Sequence, residues 1–134
     1  MMSLRLIFQI IRFGAVGLIA SALHYMIAVA MIGFDVWPLW ANFFAFVIAF
    51  HISLFGHFYW TFAHVQAFRF AVALRFFCVA VLGFCLNESL YYCFLRWTDV
   101  RPQWSLLFVL IICAGLTFQL SRLWAFRVRR LDPI

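Results

Sequence analysis

Four apolar runs, each about 20 residues or slightly more, occupy most of this chain and dictate its solvent. They cover about Phe13 to Gly33, Leu39 to Phe62, Phe76 to Leu95 and Gln103 to Phe126. As a helix, each is long enough to cross roughly 30 Å of hydrocarbon. Only 10% of the 134 residues are charged and 69% are hydrophobic, whereas soluble domains carry about 25% charged residues. A domain this small keeps a large fraction of its surface exposed, so it has nowhere to hide that much apolar area from water. Lipid is the solvent for most of the chain. The expectation is an all-α integral membrane protein with four transmembrane helices.

The segments between the runs set its orientation. Met1 to Arg12 reads as a short amphipathic lead-in lying in the headgroup region. The stretch Gly33-Phe34-Asp35-Val36-Trp37-Pro38 reads as a turn, with Pro38 opening the next helix. His64 to Arg75 reads as an interfacial connector, Arg96 to Pro102 as a third loop, and Arg127 to Ile134 as a tail in water. Every basic residue is Arg. The N-terminus, middle connector and C-terminal end hold Arg5, Arg12, Arg69, Arg75, Arg122, Arg127, Arg129 and Arg130, while the other two loops hold only Arg96 and Arg101. Positive charge stays inside, so both termini are expected in the cytoplasm of a multi-pass protein of the inner (cytoplasmic) membrane. The net charge of +6 is dispersed between apolar runs and forms no basic face, which excludes nucleic acid as a partner. Cys78, Cys85, Cys93 and Cys113 lie within apolar segments without metal-type spacing and read as reduced packing residues. The first apolar stretch is too long for a signal-peptide core and has no convincing cleavage site.

Ser53-Leu-Phe-Gly-His-Phe-Tyr-Trp-Thr-Phe62 returns, altered, as Thr117-Phe-Gln-Leu-Ser-Arg-Leu-Trp-Ala-Phe126. At an offset of 64, Ser53 falls on Thr117, His57 on Ser121, Trp60 on Trp124 and Phe62 on Phe126. At an offset of 63, Arg12-Phe13 falls on Arg75-Phe76 and His24 on Asn87. The chain therefore reads as a single domain over residues 1–134, built from a two-helix unit used twice, about 10–62 and about 74–126. Each half leaves the cytoplasmic side and returns to it, which makes them parallel repeats about an axis along the membrane normal.

Polar residues inside the runs carry the functional information, because burying them in hydrocarbon is costly. Arg12 and Arg75 open the first helix of each half, either as snorkelling anchors or as phosphate ligands. Arg122 sits within an apolar stretch beside Ser121, where a guanidinium fork suits a phosphate. His24 and Asn87 lie 12 residues further on, roughly 18 Å along the axis at 1.5 Å per residue. Glu88 is the single acidic residue within a run; a bundle histidine such as His24, a proton or a substrate hydroxyl could each face it. Asn42 could cap its helix or bond to a neighbouring one. His51 and His57 are six apart, on different helix faces, which is poor spacing for a metal site. Asn42, Ala49, Ser53, His57 and Trp60 share one face of the second helix, and Ala114, Thr117, Ser121 and Trp124 do so in the fourth. Gly17, Ala20, Ser21, His24 and Ala28 form a small-residue stripe on the first, suited to close packing. Two polar-lined faces could enclose one central cavity open toward Trp60, Trp124 and the arginines, or could be ordinary helix contacts.

Several of these stretches resemble a known family. Arg12-Phe-Gly-Ala-Val-Gly-Leu-Ile19, Ala41-Asn42 with Phe46, Ser53 to Phe62, Arg75-Phe76 to Asn87, and Ser121-Arg122-Leu-Trp-Ala-Phe126 are similar to the GtrA-like family of small four-helix membrane proteins. Where the family's first copy commonly ends in Asn-Arg-x-Trp-Thr-Phe, this chain has His57-Phe58-Tyr59-Trp60-Thr61-Phe62, so the arginine is kept only in the second copy, as Arg122. An acidic residue often present in the first helix is replaced by His24. The resemblance implies a non-enzymatic flippase that carries a polyprenyl-phosphate-linked monosaccharide to the outer leaflet for cell-envelope polysaccharide or lipopolysaccharide modification. In that reading Arg122, with Arg12 or Arg75, meets the phosphate. His24, Asn42, Ser53, His57, Asn87, Glu88, Thr117 and Ser121 line the polar path, and Trp60 and Trp124 mark the interface. No cofactor or metal is called for. The partners would be the sugar lipid, membrane lipids, a membrane glycosyltransferase and a second copy in a homodimer. Two other readings remain open: a proton-coupled exporter of small cations that uses Glu88, and a non-transporting anchor for a glycosyltransferase.

Overall fold

The computed structural model describes the backbone of residues 4–61 and 70–128, with side chains within that range except at 5, 6, 9, 61, 70–73, 75, 76 and 117–128. Four α-helices account for nearly all of it, and no strand occurs among the described residues. They are α1 (Leu4–Gly33), α2 (Pro38–Gly56), α3 (Phe70–Trp97) and α4 (Pro102–Val128). A π-helical turn over His57–Thr61 extends α2. Three helices contain segments long and apolar enough to cross a membrane: Ile10–Gly33, Pro38–Trp60 and Phe77–Trp97. In α4 the described side chains contribute a further apolar segment, Pro102–Leu116.

Two boundaries differ from those read in the sequence. The lead-in before Phe13 is not a separate element, because α1 is one continuous helix of 30 residues. No proline interrupts it, and its interior glycines, Gly14 and Gly17, are tolerated where neighbouring helical residues propagate the hydrogen bonds. Likewise α3 begins at Phe70, inside the stretch read as a connector.

The turn between α1 and α2 ends the first helix by a defined mechanism. Val36 N–H donates to Met31 C=O at 3.1 Å and Asp35 N–H to Ile32 C=O at 3.0 Å. This is the paired bonding of a Schellman motif. Its left-handed position is filled by Asp35 (φ 61°), a residue whose short polar side chain tolerates that conformation. Gly33, the glycine of the turn, is still helical. Pro38 then opens α2 at a position where its missing N–H costs nothing.

Packing follows small residues. Val16, Ala20, His24 and Ala28 recur every four residues and form the buried stripe of α1. They face Ala41, Asn42, Ala45 and Ala49 on α2. Of the small-residue stripe expected on α1, Gly17 is only half-buried and Ser21 is exposed. α1 packs most extensively on α2, and α3 on α4, with lesser α2–α3 and α1–α4 contacts joining the pairs. The core gathers Ala28, Ala45, Tyr91, Leu106 and Val109 from all four helices. Outside it, large apolar side chains point away from the protein: Leu18 is 73% exposed, Leu82 70% and Ile111 60%. Water would not support so inverted a surface, and lipid does. The chain is an all-helical membrane protein.

Candidate functional site

The site grows from Asn42, which has no solvent exposure although it lies one turn into α2. Trp37 precedes that helix and no side chain caps it, so Asn42 is free to turn inward instead of serving its own N-terminus. It does so on a face otherwise made of alanines, where α1 and α3 come close enough to be bridged. His24 Nε2 lies 2.7 Å from Asn42 Oδ1. Asn42 Nδ2 donates to Asn87 Oδ1 at 2.8 Å and to Glu88 Oε2 at 2.5 Å. Asn87 Nδ2 points at Cys113 Sγ, 4.0 Å away on α4.

The pattern assigns the donor in the His24–Asn42 contact. Two oxygens face the Asn42 amide nitrogen, and only an NH2 group can satisfy both. Oδ1 therefore faces His24, whose Nε2 carries the hydrogen and donates it; turning the amide over would set oxygen against oxygen twice. His24, Asn42 and Asn87 are thus committed to one another. Among the described residues, no buried side-chain nitrogen or oxygen lacks a partner. One polar side chain from each of α1 and α2 and two from α3 tie three helices together, and the sulfur contact reaches the fourth.

Glu88 is where this network meets open space. One carboxylate oxygen holds Asn42; the residue also lines a cavity of about 310 Å³ together with Trp37, Leu39, Trp40, Phe43 and Phe84. The cavity lies between α2 and α3 at the end of the bundle that carries the α1–α2 turn. Aromatic contacts shape its base, with Phe46 stacked on Phe84 (4.3 Å, 19°) and Phe43 edge-on to Phe84 (6.0 Å, 62°). Glu88 supplies the one acidic group in this apolar wall. Among the described residues it makes no ion pair with an arginine.

The remaining expected residues fall elsewhere. Arg12 Nη1 reaches the Trp60 carbonyl at 3.5 Å, which sets the guanidinium against the end of the π-helical turn as a cap on its free carbonyls. His57 is buried and stacks on Phe13, with ring centroids 4.5 Å apart. Ser53 is half-buried and Trp60 is exposed. These four lie at the end of α2 away from the Glu88 cavity and do not line it. The side chains of Arg75, Thr117, Ser121, Arg122 and Trp124 lie outside the described residues, and with them the expected cavity beside the two tryptophans. His51 is exposed and its Nδ1 donates to Val47 C=O at 2.7 Å. Among the described residues no three His, Cys, Asp or Glu side chains gather as a metal site would require.

Two buried polar residues escaped the sequence reading. Tyr91, fully buried, donates from its hydroxyl to Pro102 C=O at 3.1 Å and so ties α3 to the start of α4. Its place four residues after Asn87, on the same helix face, was the available signal. Ser105, also fully buried, donates to Val100 C=O at 3.4 Å. It stands 63 residues after Asn42, the same offset that relates His24 to Asn87.

No curated protein and no solved structure matches the chain. Residues 12–126 match the family described as GtrA/DPMS, transmembrane domain. That match begins at Arg12, ends at Phe126 and takes in His24, Asn42, Asn87 and Glu88, so the chain belongs to the GtrA/DPMS transmembrane-domain family.

Proposed function

We propose that the protein carries a polyprenyl-phosphate-linked monosaccharide from the inner to the outer leaflet of the cytoplasmic membrane, supplying cell-envelope polysaccharide or lipopolysaccharide modification. Family membership supports the substrate class, because GtrA/DPMS proteins are membrane proteins of polyprenyl-phosphate-sugar metabolism. The observation that carries the reading is the buried His24–Asn42–Asn87–Glu88 network, which crosses the bundle and ends on an aromatic-lined cavity. An isolated structural hydrogen bond would not require an acid at the cavity wall.

In this reading the whole chain, 1–134, is one domain of two parallel repeats, about 10–62 and about 74–126, with both termini cytoplasmic. The stronger packing within each helix pair supports the repeats, as does the convergence of His24 and Asn87 on one amide. Arg122, with Arg12 or Arg75, receives the phosphate at the cytoplasmic leaflet, between Trp60 and Trp124. Ser53, His57, Thr117 and Ser121 belong to the path leading inward, and the sugar arrives at Glu88 near the outer leaflet. Translocation needs binding and release, not covalent chemistry, and no cofactor takes part. Four helices form a thin wall around a lipid headgroup, so the working unit is a homodimer, served by a glycosyltransferase that loads the carrier.

Flipping of a fluorescent polyprenyl-phosphate sugar in proteoliposomes tests this. Arg122→Ala and Glu88→Gln are each expected to slow it by about 10-fold or more, the consequence of losing a charge-assisted bond of about 1.5–3 kcal/mol. Unchanged transport in both variants removes the site assignment. A second reading, a proton-coupled exporter of small cations, draws on the same carboxylate set among aromatic rings; it predicts drug resistance on expression that is lost in Glu88→Gln.

A further inference from the structure

The chemistry left available at the cavity is narrower than a generic sugar site. His24, Asn42 and Asn87 are bonded to one another and to Glu88, and none of the three lines the cavity. Among the described residues the second oxygen of Glu88 has no partner and no arginine neutralises the carboxylate. Around it stand two indoles and two phenyl rings, those of Trp37, Trp40, Phe43 and Phe84. A neutral monosaccharide is recognised by several paired donors and acceptors, whereas the side chains of this wall offer only one carboxylate and two indole N–H groups. A carboxylate ringed by aromatic faces is instead the setting for an ammonium group, held by charge and by the quadrupoles of the rings. The volume, about 310 Å³, sits at the small end of the roughly 300–1,000 Å³ range of ligand pockets and is room enough for a single ring.

We infer that the Glu88 cavity accommodates an amine-bearing sugar, its ammonium on the free Glu88 oxygen and its ring against Trp37 and Trp40. This rests on the carrier-lipid reading for the sugar, and on the geometry of the cavity for the amine. The indole faces cover the apolar side of a pyranose while their N–H groups remain able to donate to its hydroxyls. Glu88 is held in place by the Asn42 bond, so the carboxylate is oriented before the ligand arrives.

The test is calorimetric titration of the full-length protein in phosphatidylcholine nanodiscs, with empty discs subtracted. The probes are hexyl 2-amino-2-deoxyglucoside, its N-acetyl derivative and hexyl glucoside. The wild type is expected to bind the free amine about tenfold more tightly than either neutral glycoside, as one charge-assisted contact implies. Glu88→Gln keeps an acceptor for Asn42 and should bind all three alike. Equal binding of amine and N-acetyl forms by the wild type overturns the inference without recourse to any variant, and a preference that survives Glu88→Gln overturns it too. Tighter binding of tetraphenylphosphonium than of the amino glycoside, or loss of the preference when phosphatidylethanolamine is added to the disc, overturns the sugar assignment. Flipping of neutral-sugar carriers with no amine preference sinks this inference alone. An amine preference in a protein that flips no carrier lipid sinks the carrier reading and leaves the cavity as an amine site.

Discussion

Asn42→Leu keeps the number and branching of the side chain's heavy atoms and removes three hydrogen bonds at once, leaving His24 Nε2–H, Asn87 Oδ1 and Glu88 Oε2 to find new partners. Interhelical hydrogen bonds in membranes average about 0.6 kcal/mol, whereas a buried polar group left unpaired costs about 1–3 kcal/mol. The variant is therefore expected to lose about 2–3 kcal/mol in reversible unfolding from mixed micelles; a loss below the single-bond average would show that the network is energetically idle. At Asp35 the direction reverses. Its backbone is held in the left-handed region (φ 61°), where L-residues pay about 1–2 kcal/mol and glycine does not. Asp35→Gly should raise the melting temperature, and a lower one would mean that the Asp35 side chain matters more than its backbone. Of these residues, Glu88 announced itself in the sequence, because an acid inside an apolar run is costly. Asn42 did not, since an amide near a helix start serves equally as a cap, and only the positions of α1 and α3 settle which bond it makes.

At the scale of elements, α1 and α2 meet closely where Gly56 ends α2: a Cβ added there would lie 2.9 Å from Val16 Cγ1. Overfilling a packed contact costs about 1–3 kcal/mol. Gly56→Leu should lower stability by that order, and Val16→Ala should restore most of it in the double variant. Additive losses in the double-mutant cycle would mean that the two residues do not share the contact. The same junction leads into the π-helical turn over His57–Thr61, where the widened turn presents the Trp60 carbonyl to Arg12. The apolar runs marked the helices well, and Pro38 marked the start of α2, while α4 begins at Pro102, the residue read as the end of the third loop. The ends of α1 and α3 were less legible. Leu4 to Arg12 and Phe70 to Arg75 continue helices although their composition reads as interfacial, because helix propagation past a formed turn costs little.

For the molecule as a whole, the arginine distribution makes orientation testable. In a background where the native cysteines are replaced, Asp35→Cys and Asp99→Cys should react with an impermeant maleimide added to intact cells, while Ser3→Cys should react only after lysis. The opposite pattern would invert the topology and move the Glu88 cavity to the cytoplasmic side. The cavity places the acid next to Trp37 and Trp40, at the end of the bundle opposite Arg12 and Trp60. In the proposed function, the phosphate contacts and the sugar contact would thus lie at opposite ends of the bundle.

The sequence by itself determined the solvent, the helices and the family. Runs of this length and polarity have a single stable backbone arrangement in hydrocarbon, and the resemblance in Arg12-Phe13, Asn42 and Trp60-Thr61-Phe62 agrees with the match over residues 12–126. It also singled out His24, Asn87 and Glu88, since polarity in lipid is expensive wherever it lies. Only the tertiary structure decided what those residues do with their polarity. Hydrogen bonds depend on distances of about 3 Å between helices, and interhelical distance depends on which small residues oppose each other. No periodicity within one helix contains that information. The alanine faces of α1 and α2 bring Asn42 into the centre, where it bonds His24, Asn87 and one oxygen of Glu88 and leaves the other oxygen of Glu88 at the aromatic cavity.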